Sequence, residues 1–144
     1  MGFKFSLNNV LEWREDQEEA AKLNVSLVEN ELLKEKNNLQ SLVNENIRLK
    51  EKSIFTVNVH HMRQEDLYKA LLEEQIIQQK LVVERVEADL AEEKEKLLAA
   101  HKDRRIMEKL EERELESYKE EIDSAEQKQL DEFGTINFGR TAYF

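Results

Sequence analysis

The sequence predicts an all-α protein, an antiparallel two-helix coiled-coil hairpin with a longer C-terminal helix. The 144 residues contain no Pro and three Gly, and 38% of them are charged. This is the composition of long helices rather than of a thick globular core. Apolar residues recur at steps of three and four along two long stretches. The short stretch between them loses this spacing, so the chain is expected to turn back there.

The first helix is predicted from about residue 4 to about residue 52. Its apolar residues form a seam, the stripe along which a coiled-coil helix packs against its partner. The seam consists of Ala21, Val25, Val28, Leu32, Glu35, Leu39, Leu42, Asn46 and Leu49. Upstream, Leu7 and Leu11 lie in phase with it. Arg14 and Glu18 interrupt it, so we expect looser packing in the first turns.

The turn is predicted at about residues 53–60, where "KSIFTVNVHH" clusters β-branched residues. The second helix is predicted from about residue 60 to about residue 133. Its seam runs through Leu72, Ile76, Gln79, Val83, Val86, Leu90, Glu93, Leu97, Ala100, Arg104 and Met107, and with a shifted step through Leu110, Leu115, Tyr118, Ile122 and Ala125. Gly134 is expected to end the helix in the left-handed conformation, which leaves residues 134–144 as a mobile tail.

A hairpin is favoured because each helix must bury one narrow stripe, and pairing within a chain costs the least entropy. We therefore expect a monomer when the protein is free. Heptads do not fix orientation or stoichiometry, so a dimer of extended helices is the alternative. A turn centred near residue 56 places Phe5 opposite about Glu108, which leaves residues 108–133 without a partner in the chain. We hypothesise that the polar seam residues pair across the seam and set its register; these are Glu35, Asn46, Gln79, Glu93 and Arg104.

Composition argues against several classes of function. The net charge is −10, and residues 61–144 hold 22 acidic against 14 basic side chains, so nucleic acid is not an expected partner. No apolar run is long enough for direct membrane insertion. There is no Cys, and His60 and His61 are neighbours that point about 100° apart on a helix. We expect no metal, no cofactor and no catalytic residue, because exposed helix carboxylates have no pocket in which to act.

Two terminal elements resemble a known family. The opening "FKFSLNNVLEWREDQEEAA" supplies Phe3, Phe5, Leu7, Val10, Leu11 and Arg14, and the closing "EKLEERELESYKEEIDSAEQKQLDEF" ends in "EQKQLDE" at 126–132. Together with the long charged helix pair between them, they resemble the FliJ family of flagellar export proteins, over residues 3–133. The resemblance implies a cytoplasmic component of the bacterial flagellar type III export apparatus, similar in fold to the central stalk of rotary ATPases. It also implies three partners: the hexameric export ATPase, bound at its central hole, an export gate protein in the membrane, and export chaperones.

The unpaired end of the second helix is the expected ATPase-binding site, because one charged helix with a thin apolar stripe suits polar, exchangeable contacts in a ring. The residues assigned to it are Lys109, Leu110, Arg113, Tyr118, Lys119, Ile122, Glu126, Gln127, Lys128 and Asp131. The apolar turn is the expected contact for the export gate or a chaperone. Its residues are Ile54, Phe55, Val57, Val59 and Tyr68.

The function predicted is therefore a non-enzymatic stalk or adaptor that links the export ATPase to the gate and the chaperones. We expect it in the cytoplasm, peripherally associated with the inner face of the membrane through the export apparatus. The alternative is a purely structural coiled-coil scaffold or tether with no role in export. Such a scaffold would need neither a functional tip nor an unpaired end.

Overall fold

Two α-helices make up nearly all of the chain that the structure describes. The computed structural model describes residues 2–52 and 59–142. Helix α1 spans Asn8–Lys52 and helix α2 spans Val59–Ala142. The all-α prediction, an antiparallel hairpin with the longer helix second, is confirmed.

The chain divides into two compact units. The central unit is Glu19–Ala99, and the terminal unit combines Met1–Glu18 with Ala100–Phe144. Each unit pairs a stretch of α1 with a stretch of α2, because neither helix has enough apolar surface to form a core alone.

In the central unit the two helices run antiparallel. The Gln79 side-chain amide donates to the backbone oxygen of Glu35 at 3.0 Å, whereas the Tyr68 hydroxyl donates to Glu45 at 2.7 Å. A residue further along α1 therefore pairs with a residue earlier in α2, as two antiparallel helices require. Gln79 also donates to the Glu35 carboxylate, so two of the polar seam residues pair with each other.

The predicted seam residues of the central unit face inward. Val25, Leu72, Ile76, Val83 and Val86 are buried, and Val28, Leu32, Leu39, Leu42, Leu90 and Leu97 are half-buried. Leu72 has the lowest exposed fraction, 2%. The spacing of three and four residues places these side chains on one side of each helix, so the core is a line of contacts rather than a layer.

Asn46 is a polar residue in this line of contacts. Its side-chain oxygen is buried and accepts no hydrogen bond from the residues that the structure describes. An unsatisfied buried acceptor costs free energy, since it has lost its water without gaining a donor. Asn46 therefore weakens the seam that it occupies.

Both outer helix ends differ from the sequence-based boundaries. Helix α1 begins at Asn8 rather than near residue 4, and residues 2–7 are not helical. Helix α2 continues past Phe133 to Ala142, so the predicted tail is helical for most of its length. No described Gly has a positive φ, so Gly134 does not end the helix in the left-handed conformation. A Gly inside a helix lowers its stability by about 1 kcal/mol relative to Ala, and this cost is too small to end α2 at Gly134.

Replacing Asn46 by Leu should raise the stability of the protein. The substitution removes the unsatisfied oxygen and adds apolar contact, so we expect a gain of about 1 kcal/mol in the free energy of unfolding, measured by urea denaturation. Asn37→Leu, at an exposed position of the same helix, is the control and should change stability little. A loss of stability in Asn46→Leu would contradict this reading of the seam.

Candidate functional site

The terminal unit contains a buried charge. Glu18 is 5% exposed, and its carboxylate accepts a hydrogen bond from the Arg104 guanidinium. The Nδ1 atom of His101 lies 3.0 Å from the same carboxylate. The hydrogen bond with Glu18 raises the pKa of Arg104, so the charged pair is kept together.

Further ion pairs surround Glu18 and Arg104. Arg14 donates to Asp103 at 3.1 Å, and Arg105 donates to Glu108 at 2.7 Å. Glu108 also accepts from Arg104. The two residues that interrupt the predicted first seam, Arg14 and Glu18, are therefore both paired with charged residues of α2.

An N-terminal strap, residues 2–7, packs against α2. Phe5 is buried in a cluster with Leu11 and Met107, and Phe3 packs against this cluster. The Phe3 ring lies 5.5 Å from the Tyr118 ring, centroid to centroid, with planes tilted by 45°. The strap is thus an apolar anchor that reaches Tyr118.

Polar contacts fix the same strap. The Ser6 backbone N–H donates to Glu114 at 3.2 Å, and the Ser6 hydroxyl donates to the other carboxylate oxygen at 2.8 Å. One acidic side chain of α2 therefore holds both the backbone and the side chain of Ser6. The expectation that residues 108–133 lack any partner in the chain is wrong for the part that ends at Tyr118.

The physical reason is the register of the two helices. A turn centred near residue 56 would place Glu18 opposite about residue 95, whereas Glu18 pairs with Arg104 and Arg14 pairs with Asp103. The start of the chain therefore lies opposite a later part of α2 than that turn position predicts, and the contacts of Ser6 with Glu114 and of Phe3 with Tyr118 have the same offset.

Beyond the strap, α2 has an exposed segment, residues 119–138. Each side chain from residue 119 to residue 138 is exposed to solvent. The large apolar side chains include Ile122 at 40%, Phe133 at 63% and Ile136 at 53% exposed. The segment holds six acidic and two basic side chains, so it combines exposed apolar groups with a net negative charge.

The residues predicted to bind the ATPase fall into two groups. Tyr118 is half-buried beside Phe3. The exposed members are Lys109, Leu110, Arg113, Lys119, Ile122, Glu126, Gln127, Lys128 and Asp131. At about 100° per residue they point to all sides of α2 rather than to one face.

The residues predicted to contact the gate or a chaperone are only partly described. Ile54, Phe55 and Val57 lie outside the described residues, whereas Val59 and Tyr68 are exposed in α2. The hydrogen bond to Glu45 raises the pKa of Tyr68 above its ordinary value of 10.0, so the hydroxyl keeps its proton up to a higher pH than a free tyrosine. The neighbouring Leu67 and Leu71 are 73% and 53% exposed. They lie out of phase with the seam, so the seam pattern does not predict them.

The comparison with family models decides the identity. The model described as flagellar FliJ protein matches residues 3–142. The chain belongs to the FliJ family. Membership makes this FliJ-family chain a component of the flagellar protein export apparatus. The comparison with curated proteins returned no match, and neither did the comparison with solved structures.

The FliJ match includes residues 3–7 of the strap and the whole exposed segment. It therefore covers both the strap, which the seam pattern did not predict, and the end of α2, which was predicted to be unpaired. In the described residues of this FliJ-family chain, no group of three or more His, Cys, Asp or Glu side chains is arranged to hold a metal ion. None of its described helices is long and apolar enough to cross a membrane.

Replacing Phe3 by Ala should loosen the strap of this FliJ-family chain. The loss of the ring contact with Tyr118 should cost about 1 kcal/mol, and amide hydrogen exchange should increase over residues 3–8 and near Tyr118. Leu130→Ala, which removes a side chain that is 64% exposed, serves as the control. Unchanged exchange in Phe3→Ala would mean that the strap is held by Phe5 and Ser6 alone.

Proposed function

We propose that this protein is a non-enzymatic stalk and adaptor of the bacterial flagellar type III export apparatus. It binds the hexameric export ATPase and links that ring to the export gate protein and to export chaperones. It acts in the cytoplasm and is held peripherally at the inner face of the membrane by these partners. Family membership supports the setting, and the exposed segment supports the mode of binding.

The exposed segment is the observation that carries the ATPase proposal. A helix inside a ring meets protein on every side, and residues 119–138 are exposed on every side. The ten residues proposed to bind the ATPase likewise point around the whole helix.

The charge of this segment fits a contact that must change as the ring works. Exposed ion pairs contribute about 0–1 kcal/mol each and are screened by salt. Many such contacts give orientation and fast association without locking the stalk to one subunit. Lys109, Arg113, Lys119 and Lys128 add positive groups to the acidic surface, so both signs are available to the ring.

The start of α2 is proposed as the contact for the export gate or a chaperone. Val59 is 67% exposed and Tyr68 is 43% exposed. Leu67 and Leu71 add apolar surface beside them. Exposed apolar side chains in one short stretch of helix favour a protein partner over solvent. Ile54, Phe55 and Val57 stay part of this proposal from the sequence.

Removing residues 119–144 should abolish binding to the ATPase. The truncation leaves Tyr118 and the strap in place, so the terminal unit keeps its anchored part. We expect that the purified hexamer does not retain the truncated protein in a pull-down. We also expect that the truncated protein does not raise the hexamer's rate of ATP hydrolysis. A control truncation that removes only residues 139–144 should behave as the full chain.

Full binding by the long truncation would contradict the assignment of the site. If the full-length protein itself neither bound the hexamer nor changed its hydrolysis, the adaptor function would fail. The alternative of a structural scaffold would then be favoured, and light scattering should show a stable higher oligomer instead of a monomer.

Substitution of Val59 by Ser together with Tyr68 by Ala should weaken the contact with the gate or the chaperone. Helix content, measured by circular dichroism, should stay unchanged, because both side chains are exposed. Leu23→Ser, at a position 60% exposed in the same unit, is the matched control. Tyr68→Phe should bind as the original protein if the ring is the anchor, and weakened binding would assign the effect to the hydrogen bond with Glu45.

A further inference from the structure

The seam of α2 continues beyond the strap. Within the terminal unit it passes from Met107 through Glu111, Leu115 and Tyr118, where each side chain is buried or half-buried. In the same helical phase it continues through Ile122, Ala125, Gln129, Phe133 and Ile136, all of them exposed. We call these five residues the open seam.

The spacing of the open seam matches a coiled coil. Its steps are three, four, four and three residues, which average about 3.5, the repeat that keeps one stripe facing a partner helix. The same repeat is covered up to Tyr118 by residues of the first part of the chain. Near Tyr118 the cover is the non-helical strap, whereas earlier in α2 it is helix α1. The coiled-coil repeat of the open seam itself indicates that its occupant is a helix.

The charges beside the open seam indicate which kind of partner helix it would bind. Glu121 and Glu132 lie at one edge of the open seam, and Glu126 and Lys119 lie at the other, so the edges are acidic overall. Residues 119–138 as a whole hold six acidic against two basic side chains. Charges beside a seam set partner choice in coiled coils. A second copy of the chain would bring another acidic segment, whereas a helix flanked by Lys and Arg would complement this one.

We propose that the open seam is half of a coiled coil whose other half is an amphipathic helix with basic edges, supplied by a partner protein. The proposal deepens the proposed function and rests on it, since the open seam lies in the segment assigned to the export ATPase. It adds the chemistry of the contact: about two heptads of apolar packing, oriented by basic groups. So short an interface gives a weak, exchangeable complex.

The test uses the full chain and a synthetic peptide as probe. The peptide is about three heptads long, with Leu and Ile in its seam and Lys and Arg at its edges. A second peptide with Glu at the edges is the comparison. Fluorescence anisotropy should show binding of the basic peptide at least about tenfold tighter than the acidic one, and the difference should shrink as salt is added.

Hydrogen exchange and substituted variants test whether the peptide binds at the open seam. The basic peptide should protect residues 122–136, and Phe133→Ala combined with Ile136→Ala should reduce its affinity about tenfold or more. The matched control is Leu98→Ala with Ile106→Ala, which removes two exposed apolar side chains off the seam and should leave affinity unchanged. Circular dichroism checks that both variants keep their helix content.

Three results would overturn the proposal. One is equal affinity for the two peptides, another is protection outside the open seam, and the third is self-association of the chain that Phe133→Ala and Ile136→Ala abolish. The peptide assay contains no ATPase, so it separates the two claims. If the chain bound the basic peptide but not the ATPase, only the proposed function would be wrong. If the Phe133→Ala, Ile136→Ala variant still bound the ATPase, only the inference about the open seam would be wrong.

Discussion

The narrow apolar stripe on each helix is the constraint on which the rest of the structure depends. Among the described residues the buried apolar side chains are Phe5, Leu11, Val25, Leu72, Ile76, Val83, Val86 and Met107. Within each unit these side chains form a thin core with no second layer, so each position is stabilised chiefly by its neighbours along the seam. Where a partner segment is present the stripe is covered, and past Tyr118 the same stripe is exposed.

Polar residues in such a thin seam act on specificity more than on stability. Glu18 meets Arg104, and Gln79 meets Glu35; each pair fits only one alignment of α2 against α1. A shift by one turn would bury the same groups without partners, at a cost of about 1–3 kcal/mol for each hydrogen bond lost. Asn46 is the opposite case, because its buried oxygen has no hydrogen-bond donor within residues 2–52 and 59–142. These two pairs favour the observed register of α2 against α1, and the apolar contacts along the seam supply most of the stability.

Structural features that depend on periodic, local patterns could be predicted from the sequence. The helices and the inward face of the central unit follow from steps of three and four residues, because that spacing alone decides which side chains share a face. The strap could not be predicted this way, since it depends on the non-local contacts of Phe3 with Tyr118 and Ser6 with Glu114. The end of α2 was also misjudged, because one Gly in an otherwise helical stretch changes the local free energy by only about 1 kcal/mol. The residues of α2 that are exposed, and so open to a partner, depend on where the strap ends, which the seam pattern does not predict.

The contact between Ser6 and Glu114 joins residues 108 positions apart in the sequence. At about 5–20 residues per second, a ribosome needs roughly ten seconds to make the chain between them. Pairing near the middle of the chain closes the shortest loops, so the central unit can form first and pairing can proceed outward. The strap is therefore among the last parts to fold, and during synthesis Phe3 and Phe5 are exposed to whatever binds nascent chains.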